Sequence, residues 1–186
     1  MRQRLWLRIA AVIPVLVGAC TLVGGLTWLL LNLHSPKPVL DVAIGLVLTA
    51  GGLVLLMPHR ARLPVAPTAI AAAAAGLVGT AAGMAISASQ TWGGTYGYGY
   101  QTTRGWPFRW LARGALADDP ATAERVADAQ SWQVDVLSLA ANLLVWSYVG
   151  LLAAGAVVAV RRTLAARRAA VAEPGRAATE DVRPLP

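Results

Sequence analysis

The sequence predicts an all-α membrane protein: a four-helix transmembrane bundle, N-in/C-in, with an aromatic-rich extracytoplasmic loop between the third and fourth helices. Three observations predict it. The 186 residues are 56% hydrophobic and only 13% charged, with a mean hydropathy of +0.56; a soluble domain of this length carries about 25% charged residues. Four stretches of roughly 20 apolar residues are each long enough to cross a bilayer. The cations gather at alternate ends of those stretches, as the positive-inside rule requires.

The first span is read over 9–31 and holds no charge. The second, over 39–57, has Asp41 near its start. The third, over 67–88, is uncharged, and the fourth, over 134–160, has Asp135 near its start. Hydrocarbon satisfies no backbone donor or acceptor, so each span is expected to be a helix. Arg2, Arg4 and Arg8 precede the first span, Arg60 and Arg62 separate the second from the third, and Arg161, Arg162, Arg167 and Arg168 follow the fourth. The opposite side holds Lys37 and a long loop in which Arg104, Arg109, Arg113 and Arg125 are balanced by Asp118, Asp119, Glu124 and Asp128. Both termini and the short 58–64 link are therefore expected in the cytoplasm. Arginine stands almost everywhere in place of lysine, and Ala, Val and Gly abound. That usage suggests a GC-rich bacterial genome, and so a multi-pass protein of a bacterial inner (cytoplasmic) cell membrane.

Leu16-Val17-Gly18-Ala19-Cys20 resembles a bacterial lipobox, which would make Cys20 a lipidated N-terminus. Against that, Thr21 to Leu31 stays apolar and the segment runs to full membrane length, where a signal peptide has a short apolar core. The competing reading makes Cys20 a small buried helix residue.

Small residues mark the expected contact faces between helices, because lipid gives apolar side chains no drive to associate. Gly76, Gly79 and Gly83 punctuate the Ala-rich third span, which is expected to sit centrally against at least two neighbours. Gly45, Gly51 and Gly52 serve the second span, and Gly150 with Ala154 the fourth. Short connections make the first and second, and the second and third, antiparallel neighbours.

The loop over 89–133 carries four of the seven tryptophans, three of the four tyrosines and the single phenylalanine. In an extended chain Tyr96, Tyr98 and Tyr100 share one side and Gly97 and Gly99 the other. Trp92, Trp106, Phe108 and Trp110 complete the set of candidate interface residues. They suit either an aromatic belt lying on the headgroups or a partner-docking surface, where Trp, Tyr and Arg carry most of the binding energy. A carbohydrate or lipid headgroup is a third occupant. Asp119 followed by Pro120 reads as a helix start. Ala123, Val126, Ala127 and Gln130 follow at helical spacing, in a helix expected to lead into the fourth span near Trp132.

Ionisable residues within spans are candidates for function. Asp41 and Asp135 both lie in a first turn, where a carboxylate caps the helix. Asp135, Ser138, Asn142 and Trp146 also fall at i, i+3, i+7 and i+11, a polar stripe on one helix face. With Asp41, and with Thr27 and Asn32 of the first span, the stripe could line an outward-facing polar pocket or hold the bundle by interhelical hydrogen bonds.

Chemistry finds little support. One cysteine excludes an intramolecular disulfide or thiol pair. His34 and His59 face opposite sides of the membrane and cannot share a metal, and no nucleophile elbow accompanies any Ser, His and Asp. The glycines of 93–105 do not follow a phosphate-loop spacing. The basic residues form no patch for nucleic acid. No catalytic residue, metal or cofactor is expected. The tail over 169–186 reads as disordered in the cytoplasm. The functional expectation is a non-enzymatic accessory or assembly subunit whose outer loop contacts a partner or the membrane surface. Besides the lipid bilayer, its partners would be another membrane protein or further copies of itself. The alternative is a small oligomeric transporter or channel using the polar pocket.

Overall fold

The computed structural model describes residues 2–32, 38–57, 63–95 and 97–172, without the side chains of 2–11, 38 and 169–172. His34, Lys37, His59, Arg60, Arg62, Tyr96 and residues 173–186 of the tail lie outside the described residues.

The chain is not an all-α bundle. It combines four long apolar helices with a four-stranded antiparallel sheet and a short amphipathic helix. The order is α1 (Arg2–Asn32), α2 (Pro38–Leu56), α3 (Val65–Gly83), β1 (Ser87–Gly94), β2 (Gly97–Arg104), β3 (Leu111–Ala117), α4 (Pro120–Ala129), β4 (Gln133–Val134) and α5 (Val136–Ala172). Four helices, α1, α2, α3 and α5, are long and apolar enough to cross a membrane. Their surfaces fit that medium. Leu31, Val39, Val65, Ile70, Leu77, Val78 and Leu137 each stand more than 65% exposed, an apolar exposure that water does not tolerate over so large a continuous area.

The helices pair as two hairpins. α1 packs along α2, α3 packs along α5, and α2 meets α5 to join the pairs. The third span is therefore not central. It lies against α5, while its sequence neighbour α2 makes its contacts with α1 and α5. A short connection did not dictate adjacency, because α5 offers α3 the better fit. In α1–α2 the fit is backbone to backbone: a Cβ added at Gly52 would stand 2.6 Å from the carbonyl oxygen of Gly18. In α3–α5, Gly79 is instead the socket for the Trp146 indole. Thr21 and Tyr148 share a hydrogen bond of 2.8 Å between hydroxyls, tying α1 to α5. Cys20 is exposed on an uninterrupted α1 rather than buried.

The stretch expected as a loop is a folded domain inserted between α3 and α5. α3 ends at Gly83, so residues 84–88 are not its last turn; a turn at Met84–Ala85 leads directly into β1. The strands follow as a meander, β1-β2-β3-β4. α4 starts where expected, with Asp119 accepting from the Thr122 N–H at 2.9 Å and Pro120 opening the helix. Ala123 and Ala127 are fully buried against β2 and β3. α4 does not run on into the last span, however. It stops at Ala129, and β4 pairs with β3 before α5 begins. At the other end α5 continues to Ala172, so 169–172 are helix rather than tail.

Candidate functional site

Strand alternation divides the domain into two faces. Tyr98, Tyr100, Thr102 and Arg104 of β2 share a face with Arg113, Ala115 and Ala117 of β3. α4 lies over this face, anchored by the ion pair between Arg113 and Asp128 and by a 3.0 Å bond from Arg113 to the Asp128 carbonyl. The Trp132 ring has the Arg104 guanidinium at 4.9 Å and that of Arg113 at 4.7 Å from its centroid. A cation over an indole face contributes about 0.5–2 kcal/mol, so Trp132 is held against the arginines of this face.

The opposite face has a different composition. The register aligns Trp92 with Gly99 and Leu116, then Gln90 with Gln101 and Gly114, then Ala88 with Thr103, Ala112 and Gln133. No charged residue is among these ten. An open groove of about 630 Å³ is lined by Trp92, Gln101, Ala112, Gly114, Leu116 and Gln133 of this face, with Tyr100, Arg113 and Ala115 of the alternate strand positions also contributing. The Trp92 indole lies across Gly99, where any side chain would displace it, and is 48% exposed.

The β2–β3 connection turns back into the helices. Phe108 donates its N–H to the Oδ1 of Asn142 at 3.1 Å, and the Asn142 Nδ2 donates to the Phe108 carbonyl at 2.7 Å. Asn142 is fully buried, and its amide serves Phe108 as a second peptide group would. The flanking aromatics fill the surrounding space. Trp106 meets Trp146 at 5.5 Å between centroids, and Phe108 meets Trp28 of α1 edge to face at 5.8 Å. Trp146 adds a long N–H bond of 3.4 Å to the Trp106 carbonyl. On α3, a Cβ at Gly83 would stand 2.7 Å from the same carbonyl. Gly105, at φ +121°, reverses the chain into this connection, and the Trp106–Pro107 peptide is cis.

The candidate interface residues therefore do not form one surface. Trp106, Phe108 and Trp110 belong to the junction with the helices, Tyr98 and Tyr100 to the face under α4, and Trp92 to the open face. Tyr96 lies outside the described residues.

The polar-pocket candidates are likewise dispersed. Asp135 caps α5, accepting from the Leu137 N–H at 3.0 Å, the Ser138 N–H at 3.1 Å and the Ser138 hydroxyl at 2.8 Å. The Ser138 hydroxyl and then its N–H hold the Asp135 carboxyl below its usual 3.8. Thr122 does the same for Asp119. Asp41 sits in the first turn of α2 with no side-chain hydrogen bond among the described residues. The cavity at this end of the bundle, about 150 Å³, is apolar and excludes all four: Leu40, Ala43, Ile44, Val47, Pro107 and Val149 contribute to its wall. Among the described residues, no three His, Cys, Asp or Glu side chains gather where a metal could bind.

Sequence reasoning passed over Gln101, Leu116 and Gln133, which line the groove with Trp92, and it missed Phe108 as the partner of Asn142. The period of two that placed the tyrosines on one side also sets Gln90, Trp92, Gly99 and Gln101 together, once β1 and β2 are allowed to pair. No family model, curated protein or solved structure matches the chain.

Proposed function

We propose that the chain is a multi-pass protein of a bacterial cytoplasmic membrane, with both termini and the 58–64 link inside and the sheet domain outside. In this reading it is a non-enzymatic accessory or assembly subunit that holds a small binding domain at the outer surface for a membrane-protein partner. The cations support the orientation: nine arginines mark the terminal end of the spans, while the sheet domain balances Arg against Asp and Glu.

The observation that carries the reading is the anchoring of the domain. It leaves α3 through a three-residue turn, is clamped to α5 by the Phe108–Asn142 pair, and re-enters α5 directly from β4. A domain fixed in this way presents its remaining surface at a constant angle, as an assembly subunit requires. Nothing specific favours the transporter alternative. Asp135 and Ser138 satisfy each other and the helix start, Asn142 is taken up by Phe108, and the nearby cavity offers a solute no polar group.

Two experiments test the reading. A cysteine placed at Gln90 in a Cys20→Ala background should react with a membrane-impermeant maleimide on intact cells. Protection until the cells are lysed would reverse the topology. Mild-detergent purification from native membranes should then recover a stoichiometric membrane-protein partner. Recovery of the chain alone, or only as a homo-oligomer, would overturn the subunit assignment.

A further inference from the structure

We propose that the open face of the sheet is a binding site for a neutral oligosaccharide segment, with Trp92 as its stacking platform. The proposal rests on the reading of the sheet domain as an outer-surface domain. Three features of the face carry it.

First, the chemistry is that of a sugar ring. A pyranose shows one apolar C–H face and a rim of hydroxyls that both donate and accept. The exposed indole of Trp92, laid across Gly99, offers a flat apolar surface. Gln90, Gln101 and Gln133 stand on the same face, and each amide supplies two donors and an acceptor. Among the described residues, none of these three amides nor the Trp92 N–H makes a side-chain hydrogen bond. Their capacity is free.

Second, the face is uncharged although the chain carries a net charge of +7. The arginines of β2 and β3, Arg104 and Arg113, point to the other face and are engaged by Trp132 and Asp128. Arg113 is among the residues that line the groove, but its guanidinium is taken up by Asp128 and Trp132, so an anionic polymer or a phosphate headgroup finds no free counter-charge there.

Third, the groove is of ligand size. Its 630 Å³ falls in the range of small-molecule sites. Glycine and alanine at Gly99, Gly114 and Ala112 keep its floor low between Trp92 and Leu116. Trp92 pairs with Gly99, five residues up β2 from Arg104, a rise of about 17 Å. The lining runs along β3 from Leu116 to Ala112, a rise of about 14 Å that spans more than one sugar ring, so the occupant is an oligosaccharide segment rather than a single sugar.

The full chain in lipid nanodiscs, free of maltoside or glucoside detergent, should be titrated with neutral cello-, malto- and chito-oligosaccharides by calorimetry and tryptophan fluorescence. At least one should bind. Trp92→Ala should weaken it by roughly tenfold or more, Trp92→Tyr should keep most of the affinity, and Gln101→Ala should cost roughly threefold. Unchanged gel filtration and circular dichroism would confirm that the variants fold. Absence of binding by every neutral saccharide overturns the proposal, as does binding that survives Trp92→Ala. A uronic-acid or sulfated oligosaccharide that binds as well as its neutral counterpart also overturns it. If Gln90→Cys labels from outside and no saccharide binds, the glycan site alone fails and the outer-domain reading stands.

Discussion

The two helix hairpins solve the same packing problem in different ways. α1 and α2 close on small residues, with Gly52 brought against the Gly18 carbonyl. α3 and α5 also close on small residues, with Gly150 brought against the Ala71 carbonyl, but toward the sheet domain an indole fills their contact, with Trp146 seated on Gly79 and Trp106 reaching over the end of the pair. The first hairpin is helix alone. The second carries an entire folded domain between its helices, and the β2–β3 connection meets it at that end. A glycine in a long apolar helix therefore has no fixed meaning. Facing another glycine it admits a backbone, and facing a tryptophan it is a socket.

The sharpest way to break the comparison is Asn142→Leu. This leaves the Phe108 N–H and carbonyl unpaired in an apolar site, at about 1–3 kcal/mol for each. The result should be a loss of about 2–6 kcal/mol, read as a large fall in the thermal midpoint in detergent, with the domain newly open to protease at 105–110. A midpoint close to wild type would mean that the aromatics alone hold the junction.

Gly79→Val and Gly52→Val compare the hairpins directly. Both overpack a helix contact, at about 1–3 kcal/mol. Only Gly79→Val should shift the tryptophan emission, because it displaces Trp146 and through it Trp106. Equal emission changes in the two variants would erase the distinction drawn between them.

Arg113→Met removes the anchor of α4. Asp128 is half exposed, so the loss should be about 1 kcal/mol. It should appear in hydrogen exchange as faster exchange across α4, with the four long helices unaffected. Faster exchange in α3 or α5 would show that the domain and the hairpin unfold as one.

The smallest effect concerns pH. The Asp119 and Asp135 carboxyls lie below their usual 3.8 in the folded chain. The unfolded chain then binds more protons, so stability falls as pH drops through the folded values and is complete above 3.8. The loss should fall in the sheet domain and at the start of α5, leaving α1–α2 unchanged. Asp135→Asn should flatten part of that acid limb, and an unaltered limb would mean that the α5 cap contributes nothing to it.

The four long apolar helices were legible in the sequence because a run of about 20 apolar residues that is to cross a bilayer has one solution, a helix. Asp119, Pro120, Ala123 and Ala127 were legible because a cap and a periodic face are local signals. The sheet was not. Leu111-Ala-Arg-Gly-Ala-Leu-Ala has the composition of a helix, and it is a strand because β2 and β4 pair with its two edges. The alternation of tyrosine and glycine in β2 was visible, but nothing in it named β1 and β3 as the strands that pair with it. Asn142 stood out on one face of α5, yet its partner is a backbone group, and backbone groups leave no mark in composition. Pairing between distant segments is the information a single sequence withholds.

The attachment of the sheet domain at three places has a mechanical consequence. A body held at one hinge can swing, and one held at two can still roll about the line between them. A third support off that line removes the last rotation. With the turn after Gly83, the tip at Phe108 and the β4–α5 join all fixed, the domain is a tripod on α3 and α5. A push on Trp92 therefore arrives at the helices as tilt, with little play taken up by a linker.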